Sequence, residues 1–379
     1  MESAPALTAY IPAEQSLRGR RWLFIAARNF GDALVTSTLV RAVIESFPKD
    51  RVEILSRPHF RPIFDRVPGV ADFHGAAFPM GTVKQFHSRQ ALELGQCVRK
   101  LRRARFDCCV NDIGDVREAW LGWMIGPKFN VAPQWDPENP HLNLIQSWWS
   151  KPAINHPIFI PANVLNVYAV RALMARQLGC LPDIVNGMLD QAPAARTHEA
   201  PPVLGIQPYA TQDCRLWPWE FWCTLAREAS RHGVQVRIFC APTERAATEK
   251  LLAAALGLPG VELRAGPLEW FFEQLTQLTA LVALDSFGIH SARTMGVPSV
   301  MINGANDPRL WAPPGTRVLL NGGNCPKFPC YCQPVCGGPD LPENACIREI
   351  TPAQVWNEAR ALLFPQPDKN TTEPTSETQ

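Results

Sequence analysis

The stretches Trp22-Leu-Phe-Ile-Ala26 and Asn29-Phe-Gly-Asp-Ala-Leu-Val-Thr36 decide the fold class of this chain. The first is an apolar run typical of a buried strand, and the second opens a helix-like segment that continues to Glu45. Gly31 permits a tight turn between them, which would place Asp32 in the first helical turn. A carboxylate there is either a charge partner of the helix dipole or a catalytic base at the carboxyl edge of a sheet.

The same alternation of strand and helix continues along the chain. It predicts parallel sheets covered by helices, in an N-terminal domain over residues 20–191 and a C-terminal domain over residues 203–364. Residues 192–202 have the composition of a linker, and residues 365–379 that of a disordered tail. Residues 127–163, rich in Pro, Asn and Trp, are predicted as a long loop with short helices.

Composition narrows the class of protein. The 379 residues are 46% hydrophobic and 19% charged, which predicts a globular chain with an ample core. A formal net charge of +2 does not favour nucleic-acid binding. Neither a secretory peptide nor an apolar run of about 18 residues is evident, so we expect a cytoplasmic protein whose twelve cysteines are thiols or metal ligands rather than disulfides.

Two further polar clusters follow predicted strands. The first, Gln207 to Pro218, contains Thr211 and Arg215 before a helix start, an arrangement that suits an anion. The alternative is an arginine stacked on Trp217 or Trp219 at the surface. The second, Asp285-Ser-Phe-Gly-Ile-His290, also joins a strand to a helix, although a lone histidine is often structural.

Four phrases of the sequence together resemble the heptosyltransferase family, glycosyltransferase family 9. The phrase Asn29 to Thr36 is similar to its Gly-Asp-x-x-x-Thr opening, and Arg215-Leu-Trp-Pro218 to its Lys/Arg-x-Trp-Pro segment. Asp285-Ser286 with His290 looks like its Asp-Ser/Thr-Gly-x-x-His loop, and Cys346 to Pro352 its closing Cys-x-x-x-Ile-Thr-Pro. The matches follow the family's order over residues 20–364.

The resemblance implies a GT-B fold, with two Rossmann-like domains whose parallel sheets face a central cleft, and an inverting transfer without a catalytic metal. By position, Asp32 would be the general base, and Arg215 would stabilise the leaving diphosphate. The resemblance also implies donor-binding residues: Thr211, Ser286, Gly288 and His290 for the phosphates, Glu244 for the ribose, and Asp285 for the sugar hydroxyls. Arg215 stands where the family usually has lysine, and Phe287-Gly288 differs from the usual loop; both differences bear on the identity of the donor more than on the type of reaction.

Basic residues of the first half are candidates for binding an acidic acceptor. Arg57 and Arg61 follow the second predicted strand, Lys84 lies in the next loop, and Arg117 follows the strand at residues 108–110. A solvated basic face is the alternative. The predicted helix Leu92–Arg105 carries five cations that would attract an anionic membrane at about 1 kcal/mol each.

Late cysteines raise the question of a metal. Cys330, Cys332, Cys336 and Cys346 could bind a structural Zn or Fe, although their spacing is not that of paired Cys-x-x-Cys knuckles. Free thiols are the alternative.

The leading hypothesis is a transferase moving heptose from a nucleotide-sugar, which the family resemblance implies to be ADP-heptose, to a saccharide acceptor of the lipopolysaccharide inner core. It would be cytoplasmic, with peripheral contact at the inner membrane. The rivals are a family member that uses another nucleotide-sugar for a surface polysaccharide or protein, and an idle homologue that only binds nucleotide-sugar.

Overall fold

The computed structural model describes residues 19–78, 87–141, 148–190, 201–320, 325–331, 336 and 344–365. The chain divides into two compact units, one formed by Met1–Gln191 with Asp307–Gly315, and the other by Ala192–Asn306 with Thr316–Gln379. Each unit contains one six-stranded sheet whose neighbouring strands are all parallel. The predicted α/β class with two parallel sheets is confirmed.

The first sheet has the strand order β3-β2-β1-β4-β5-β6. Its strands are β1 (Arg21–Ala26), β2 (Arg51–Ser56), β3 (Val70–Gly75), β4 (Cys108–Val110), β5 (Phe129–Trp135) and β6 (His156–Ile160). The helices of this part are α1 (Phe30–Ser46), α2 (Arg61–Phe64), α3 (Ser88–Ala104), α4 (Val116–Ile125), α5 (Val167–Gln177) and α6 (Pro182–Gly187), with 3-10 turns at Pro58–Phe60 and Trp148–Ala153.

The second sheet has the order β12-β11-β10-β7-β8-β9. Its strands are β7 (Val203–Gln207), β8 (Gln235–Cys240), β9 (Val261–Ala265), β10 (Ala280–Leu284), β11 (Ser299–Asn303) and β12 (Arg317–Leu320). The later helices are α7 (Trp219–Arg231), α8 (Arg245–Leu251), α9 (Ala253–Leu256), α10 (Leu268–Leu275), α11 (Phe287–Thr294), α12 (Pro308–Trp311), α13 (Ala345–Arg348) and α14 (Pro352–Leu363), with 3-10 turns at Asp213–Arg215 and Pro242–Glu244.

Each sheet has one point at which the strand order reverses. In the first it lies between β1 and β4, and in the second between β7 and β10. Open parallel sheets bind ligands outside the carboxyl ends of the strands at such points. The three polar clusters of the sequence follow β1, β7 and β10, so each lies at a reversal point of its own sheet.

The central strands are apolar along their whole length because helices cover both faces of the sheets. The side chains of Trp22 to Ile25 on β1 and of every residue of β10 are fully buried. In the second unit, Trp217 and Trp222 are fully buried in the same core cluster as Ile347. Among the described residues, no helix combines the length and the apolar character that crossing a membrane requires.

The prediction of a long loop over residues 127–163 is wrong. This segment supplies β5 and β6, which pair from Val131 to Trp135. Pro133 obscures the strand in the sequence, but β4 ends at Val110, opposite Val131, so beyond that point β5 has only one neighbouring strand. A strand with a free side tolerates a residue that cannot donate a hydrogen bond.

A short segment late in the chain belongs to the first unit. The side-chain amide of Asn166, the N-cap of α5, donates to the backbone carbonyls of Arg309 at 3.3 Å and Ala312 at 2.9 Å. Trp311 packs against the buried cluster that includes Val167 and Tyr168. Local sequence patterns do not predict this return of the chain. The proposed linker and tail lie largely outside the described residues.

Candidate active site

Asp32 lies in the first turn of α1, directly beyond the carboxyl end of β1. The turn before it is made by Asn29, the N-cap, whose backbone is extended at φ −133° and ψ 163°. Gly31 is inside the helix, so the prediction that Gly31 forms the tight turn is wrong; an extended N-cap needs no glycine. The side-chain amide of Asn29 donates to Oδ2 of Asp32 at 3.1 Å.

The environment of Asp32 makes its carboxylate more basic than an ordinary one. Its side chain retains 15% exposure, and Nε of Arg28 lies 4.0 Å from Oδ2. Burial raises the pKa of Asp32, while Arg28, Arg171 and the Asn29 bond partly oppose that rise and Asp112 adds to it. A reachable carboxylate with a raised pKa has the properties of a general base.

A buried ion pair supports the helix that carries Asp32. Nε of Arg171 on α5 donates to Oδ2 of Asp112 at 2.8 Å, and both side chains are almost fully buried. The hydroxyl of Thr36, one turn after Asp32, lies 3.0 Å from both carboxylate oxygens of Asp112. Thr36 of the Gly-Asp-x-x-x-Thr phrase therefore connects α1 to the loop after β4.

In the second unit, the structure brings the two later clusters together. Ser286, the N-cap of α11, donates from Oγ to Oε1 of Gln207 at 3.1 Å. A Cβ atom at Gly288 would lie 2.8 Å from the same oxygen, so a larger residue would push the Gln207 side chain aside. Gln207 at the end of β7 therefore fixes the loop that follows β10.

Arg215 joins this group through the backbone. Its Nη1 donates to the carbonyl oxygen of Asp285 at 3.2 Å, and its buried Nε has no hydrogen-bond partner within the described chain. The alternative of an arginine stacked at the surface on Trp217 does not hold, because Trp217 is 1% exposed and its Nε1 donates to the carbonyl of Ile350. Arg215 thus retains donor capacity beside the loop of residues 285–290.

The carboxylate of Asp285 is buried and already partnered. Nδ2 of Asn306 donates to its Oδ2 at 2.6 Å, and the side chain belongs to a residue only 5% exposed. Burial raises the pKa of Asp285, while Arg215 and the Asn306 bond oppose the rise. Within the described chain, Oδ2 is the oxygen of this carboxylate that is engaged in a hydrogen bond.

The remaining predicted donor-binding residues, Glu244, Thr211 and His290, also follow strands of the second sheet but differ in burial. Glu244 is half-buried after β8, and its Oε2 accepts the backbone N–H of Ala241 at 2.8 Å. Thr211 is exposed in the loop after β7. His290 is buried in the first turns of α11. The motifs of the sequence do not indicate a role for Tyr209. Its hydroxyl lies 2.7 Å from Oγ1 of Thr248, and burial, followed by the charge of Glu244, raises its pKa.

Two of the predicted acceptor cations, Arg57 and Arg117, follow the carboxyl ends of β2 and β4 in the first sheet. Arg57 follows β2, its buried Nε has no partner in the described chain, and burial followed by the charge of Arg117 lowers its pKa. Arg117 makes a two-pronged contact with Asp115, from Nε at 2.9 Å and Nη2 at 2.6 Å. Arg57 is thus the cation with unused capacity.

The other two predicted acceptor cations contribute less. Arg61 is exposed and lies 3.4 Å from Asp65 in an ion pair of one helical turn. Lys84 lies outside the described residues.

Two groups of side chains are candidates for a metal site, one of them in the first sheet and the other formed by the late cysteines. Glu53, Asp72 and His74 bring ligand atoms within 4.8 Å of one another. However, Arg21 and Arg51 already bind Oε1 of Glu53 at 2.6 and 2.7 Å, which neutralises the carboxylate that a metal would need. This cluster is a charge-paired part of the first sheet.

Three of the four predicted cysteines, Cys330, Cys336 and Cys346, lie in the described part of the chain and are free thiols there. Burial raises the pKa of the Cys346 thiol, and Cys325, Cys330 and Cys336 act on it electrostatically. Cys332 lies outside the described residues, so a site formed by all four cysteines stays a prediction. Cys214 is disulfide-bonded, so the expectation of thiols is wrong at that position.

Sequence reasoning missed residues whose importance depends on packing between distant segments. Arg171 lies in a mixed helical stretch that looks solvated, and Asn306 follows a strand without any motif. Glu118 resembles an ordinary acidic residue of a helix's first turn, yet it is fully buried and binds Ala27. No local signal distinguishes these residues.

Comparisons with known proteins identify the fold and the family of the chain. No curated protein sequence matches the chain. A glycosyltransferase family 9 protein from Veillonella parvula has 14% identity and a TM-score of 0.72, covering 93% of this chain and 99% of its own. E. coli ADP-heptose lps heptosyltransferase II has 19% identity and a TM-score of 0.63, covering 90% of this chain and 98% of its own.

A third solved structure, E. coli heptosyltransferase WaaC with ADP, has 19% identity and a TM-score of 0.62, covering 79% of this chain and 92% of its own. At these identities the likeness establishes the shared GT-B fold. Residues 94–334, more than half of the chain, match the family described as glycosyltransferase family 9 (heptosyltransferase). The chain therefore belongs to glycosyltransferase family 9 and is a glycosyltransferase.

Proposed function

We propose that this protein is an inverting, metal-independent transferase that moves heptose from ADP-heptose to an acceptor of the lipopolysaccharide inner core. The observation that carries this proposal is the position of Asp32, a partly exposed carboxylate with a raised pKa at the strand-order reversal of the first sheet. Solved relatives of similar fold are named as ADP-heptose and ADP-bound heptosyltransferases, which supports this donor.

In the proposed reaction, Asp32 accepts the proton of the acceptor hydroxyl as that oxygen attacks the anomeric carbon of the donor sugar. The bond from that carbon to the diphosphate breaks on the opposite face, so the configuration inverts. Negative charge then grows on the departing diphosphate, and Arg215 stabilises it together with the N-terminus of α11. A guanidinium in this role supplies the positive charge that a divalent metal supplies in other enzymes.

For the donor, we assign the phosphates to Thr211, Arg215, Ser286, Gly288 and His290. Glu244 would bind the ribose and Asp285 the sugar hydroxyls. Support comes from the bonds that join Ser286 to Gln207 and Arg215 to the Asp285 carbonyl, since they hold these segments at one edge of the second sheet.

For the acceptor, we assign an acidic group to Arg57, with Arg117, Arg61 and Lys84 as further candidates; Lys84 lies outside the described residues. Within the described part of the chain, the buried Nε of Arg57 has no hydrogen-bond partner, whereas Arg117 and Arg61 form ion pairs with Asp115 and Asp65. Arg57→Ala should therefore raise the acceptor KM more than Arg61→Ala does.

We also propose a cytoplasmic location with peripheral contact to an anionic membrane through α3. Arg99, Lys100, Arg102 and Arg103 are exposed on this helix, whose opposite face buries Val98 and Leu101 in the core. Sedimentation with anionic but not neutral vesicles, lost at high salt, is the expected result.

A structural Zn or Fe at Cys330, Cys332, Cys336 and Cys346 is a separate proposal. The electrostatic coupling of Cys346 to its neighbours supports it, with Cys325 as a further candidate ligand. Among the described residues, the sulfurs do not form a set of three within 4.8 Å, so a metal would have to draw them together. Elemental analysis tests this independently of transfer.

The decisive experiment for the function measures nucleoside diphosphate release from a panel of nucleotide-sugars, with and without acceptor. We expect release from ADP-heptose that increases with inner-core acceptor. Release from another nucleotide-sugar would favour the rival transferase, and ligand binding without release would favour an idle homologue. A thermal-shift screen identifies the base, because a ligand at a hundred times its Kd adds about 2.7 kcal/mol of stability.

A further inference from the structure

A fully buried glutamate lies behind the turn that leads to Asp32. Glu118, in the first turn of α4, has no exposed surface. Its Oε1 accepts the backbone N–H of Ala27 at 2.8 Å, and Ala27 is the residue directly after β1. Its Oε2 is buried without a hydrogen-bond partner in the described chain. The carboxyl group thus anchors the turn through one oxygen.

The charges that face Glu118 are mostly negative or already paired. Asp32, Asp112 and Asp115 all disfavour its ionised form, and Asp115 holds Arg117 in a two-pronged contact. Arg57 and Arg117 each interact with it electrostatically. Burial first, and these carboxylates next, raise the pKa of Glu118 well above its ordinary value, while the Ala27 bond opposes the rise.

Glu53 is another buried glutamate of the first unit, but cationic side chains bind it. Arg21 and Arg51 donate hydrogen bonds to Oε1 of Glu53 on β2, at 2.6 and 2.7 Å. Nε2 of His74 lies 2.8 Å from Oε2 of the same carboxylate. These bonds outweigh burial and lower the pKa of Glu53 to about 2. Both side chains have almost no exposed surface, and the cationic partners of Glu53 keep it charged. Among the described residues, no cation forms an ion pair or hydrogen bond with Glu118 of the kind that keeps Glu53 charged.

We infer that Glu118 is a positioning residue for Asp32: a neutral carboxylic acid that fixes the strand-to-helix turn without placing a second negative charge beside the base. This inference rests on the proposed role of Asp32. Neutrality matters because a carboxylate at position 118 would favour protonation of Asp32, and a protonated Asp32 cannot accept the acceptor's proton.

The test compares Glu118→Gln, which keeps the acceptor for the Ala27 N–H, with Glu118→Leu, which removes it. We expect Glu118→Gln to retain transfer within about threefold. Glu118→Leu should lose roughly tenfold or more in kcat while the donor KM changes little, because the Ala27 N–H is left buried and unpaired. Glu45→Gln is the matched control, since Glu45 is exposed on α1, the helix that carries Asp32. Equal losses for Gln and Leu would overturn the anchoring role.

A second readout follows protonation itself. A group whose pKa is higher in the folded than in the unfolded state contributes stability at low pH and loses it as pH rises through the folded value. The melting temperature of Glu118→Gln should therefore rise relative to the parent as pH increases above about 4.3. Glu53→Gln should show the opposite trend, losing more stability above about 4.5 than near pH 2, because Glu53 ionises early. A pH-independent difference for Glu118→Gln would refute a neutral Glu118.

The two readouts separate this inference from the proposed function. If no donor and acceptor pair gives transfer with the parent protein, the proposed function fails, yet the melting series still reports whether Glu118 is neutral. If transfer occurs and depends on Asp32, the acid limb of kcat/KM should keep its position in Glu118→Gln, because one neutral group replaces another. An acid limb that moves to lower pH would mean that Glu118 carried a negative charge in the parent, and would overturn the inference.

Discussion

The turn after β1 and the turn after β10 look alike in sequence but hold their aspartates differently. Both follow a buried strand at a reversal point, and burial raises the pKa of both Asp32 and Asp285. Asp32 is partly exposed; the amide of Asn29 donates to its Oδ2 at 3.1 Å, and Nε of Arg28 lies 4.0 Å away. Asp285 is buried, and the amide of Asn306 donates to its Oδ2 at 2.6 Å. A loosely held carboxylate can exchange a proton with a ligand, and a tightly held one fixes a loop.

The strongest challenge to this comparison is Asp32→Asn. Asparagine keeps the size of the side chain but cannot accept a proton, so we expect transfer to fall about 10²- to 10⁴-fold. Binding of nucleoside diphosphate, measured by thermal shift, should persist. Asp65→Asn, at an exposed aspartate, is the control. Activity within a few-fold of the parent would remove Asp32 from the mechanism.

Arg171→Leu tests whether the ion pair behind Asp32 gives the first turn its rigidity. Removing one partner of a buried pair leaves Asp112 uncompensated, which costs about 3–5 kcal/mol of unfolding free energy. Denaturant melts measure this loss, and Arg171→Leu combined with Asp112→Asn should recover part of it. A loss below about 1 kcal/mol would mean that Thr36 alone satisfies Asp112.

A stable Arg171 variant offers a second measurement. Arg171 opposes the rise of the Asp32 pKa. In its absence, Asp32 should remain protonated to higher pH, and the acid limb of kcat/KM should move upward. An unmoved limb would separate Arg171 from the chemistry of Asp32.

Arg215→Ala probes the corresponding support in the second unit. Loss of a positioned cation beside a developing charge costs about 10²- to 10³-fold in kcat, and donor affinity should weaken as well. Arg215→Lys should fall between the parent and alanine, because lysine keeps the charge without the planar fork. Equal losses for lysine and alanine would show that guanidinium geometry, rather than charge, is what this position needs.

The sequence predicts the parallel sheets because buried strands and helices have distinct periodicities, and β4 lies where expected, at Cys108–Val110. It places Asp32 and Asp285 at strand ends for the same reason. The sequence does not predict β5, because Pro133 is compatible with this strand only where β4 no longer pairs with it. Arg171 and Glu118 cannot be predicted, because each acts on a segment more than fifty residues away.

Asp285→Asn should have the smallest effect and sharpen the comparison most finely. The oxygen of asparagine can accept the bond from Asn306, and Arg215 donates to the backbone at 285, so both contacts can survive. Because the pKa of Asp285 is raised on folding, the parent loses stability as pH rises from about 4 through the folded value. The variant does not titrate there, so its melting temperature should gain on the parent between pH 4 and 7. Transfer should weaken mainly through the donor KM, since the proposed role is to bind sugar hydroxyls. A loss of kcat as large as that of Asp32→Asn, with donor binding intact, would reverse the assignment of the two aspartates.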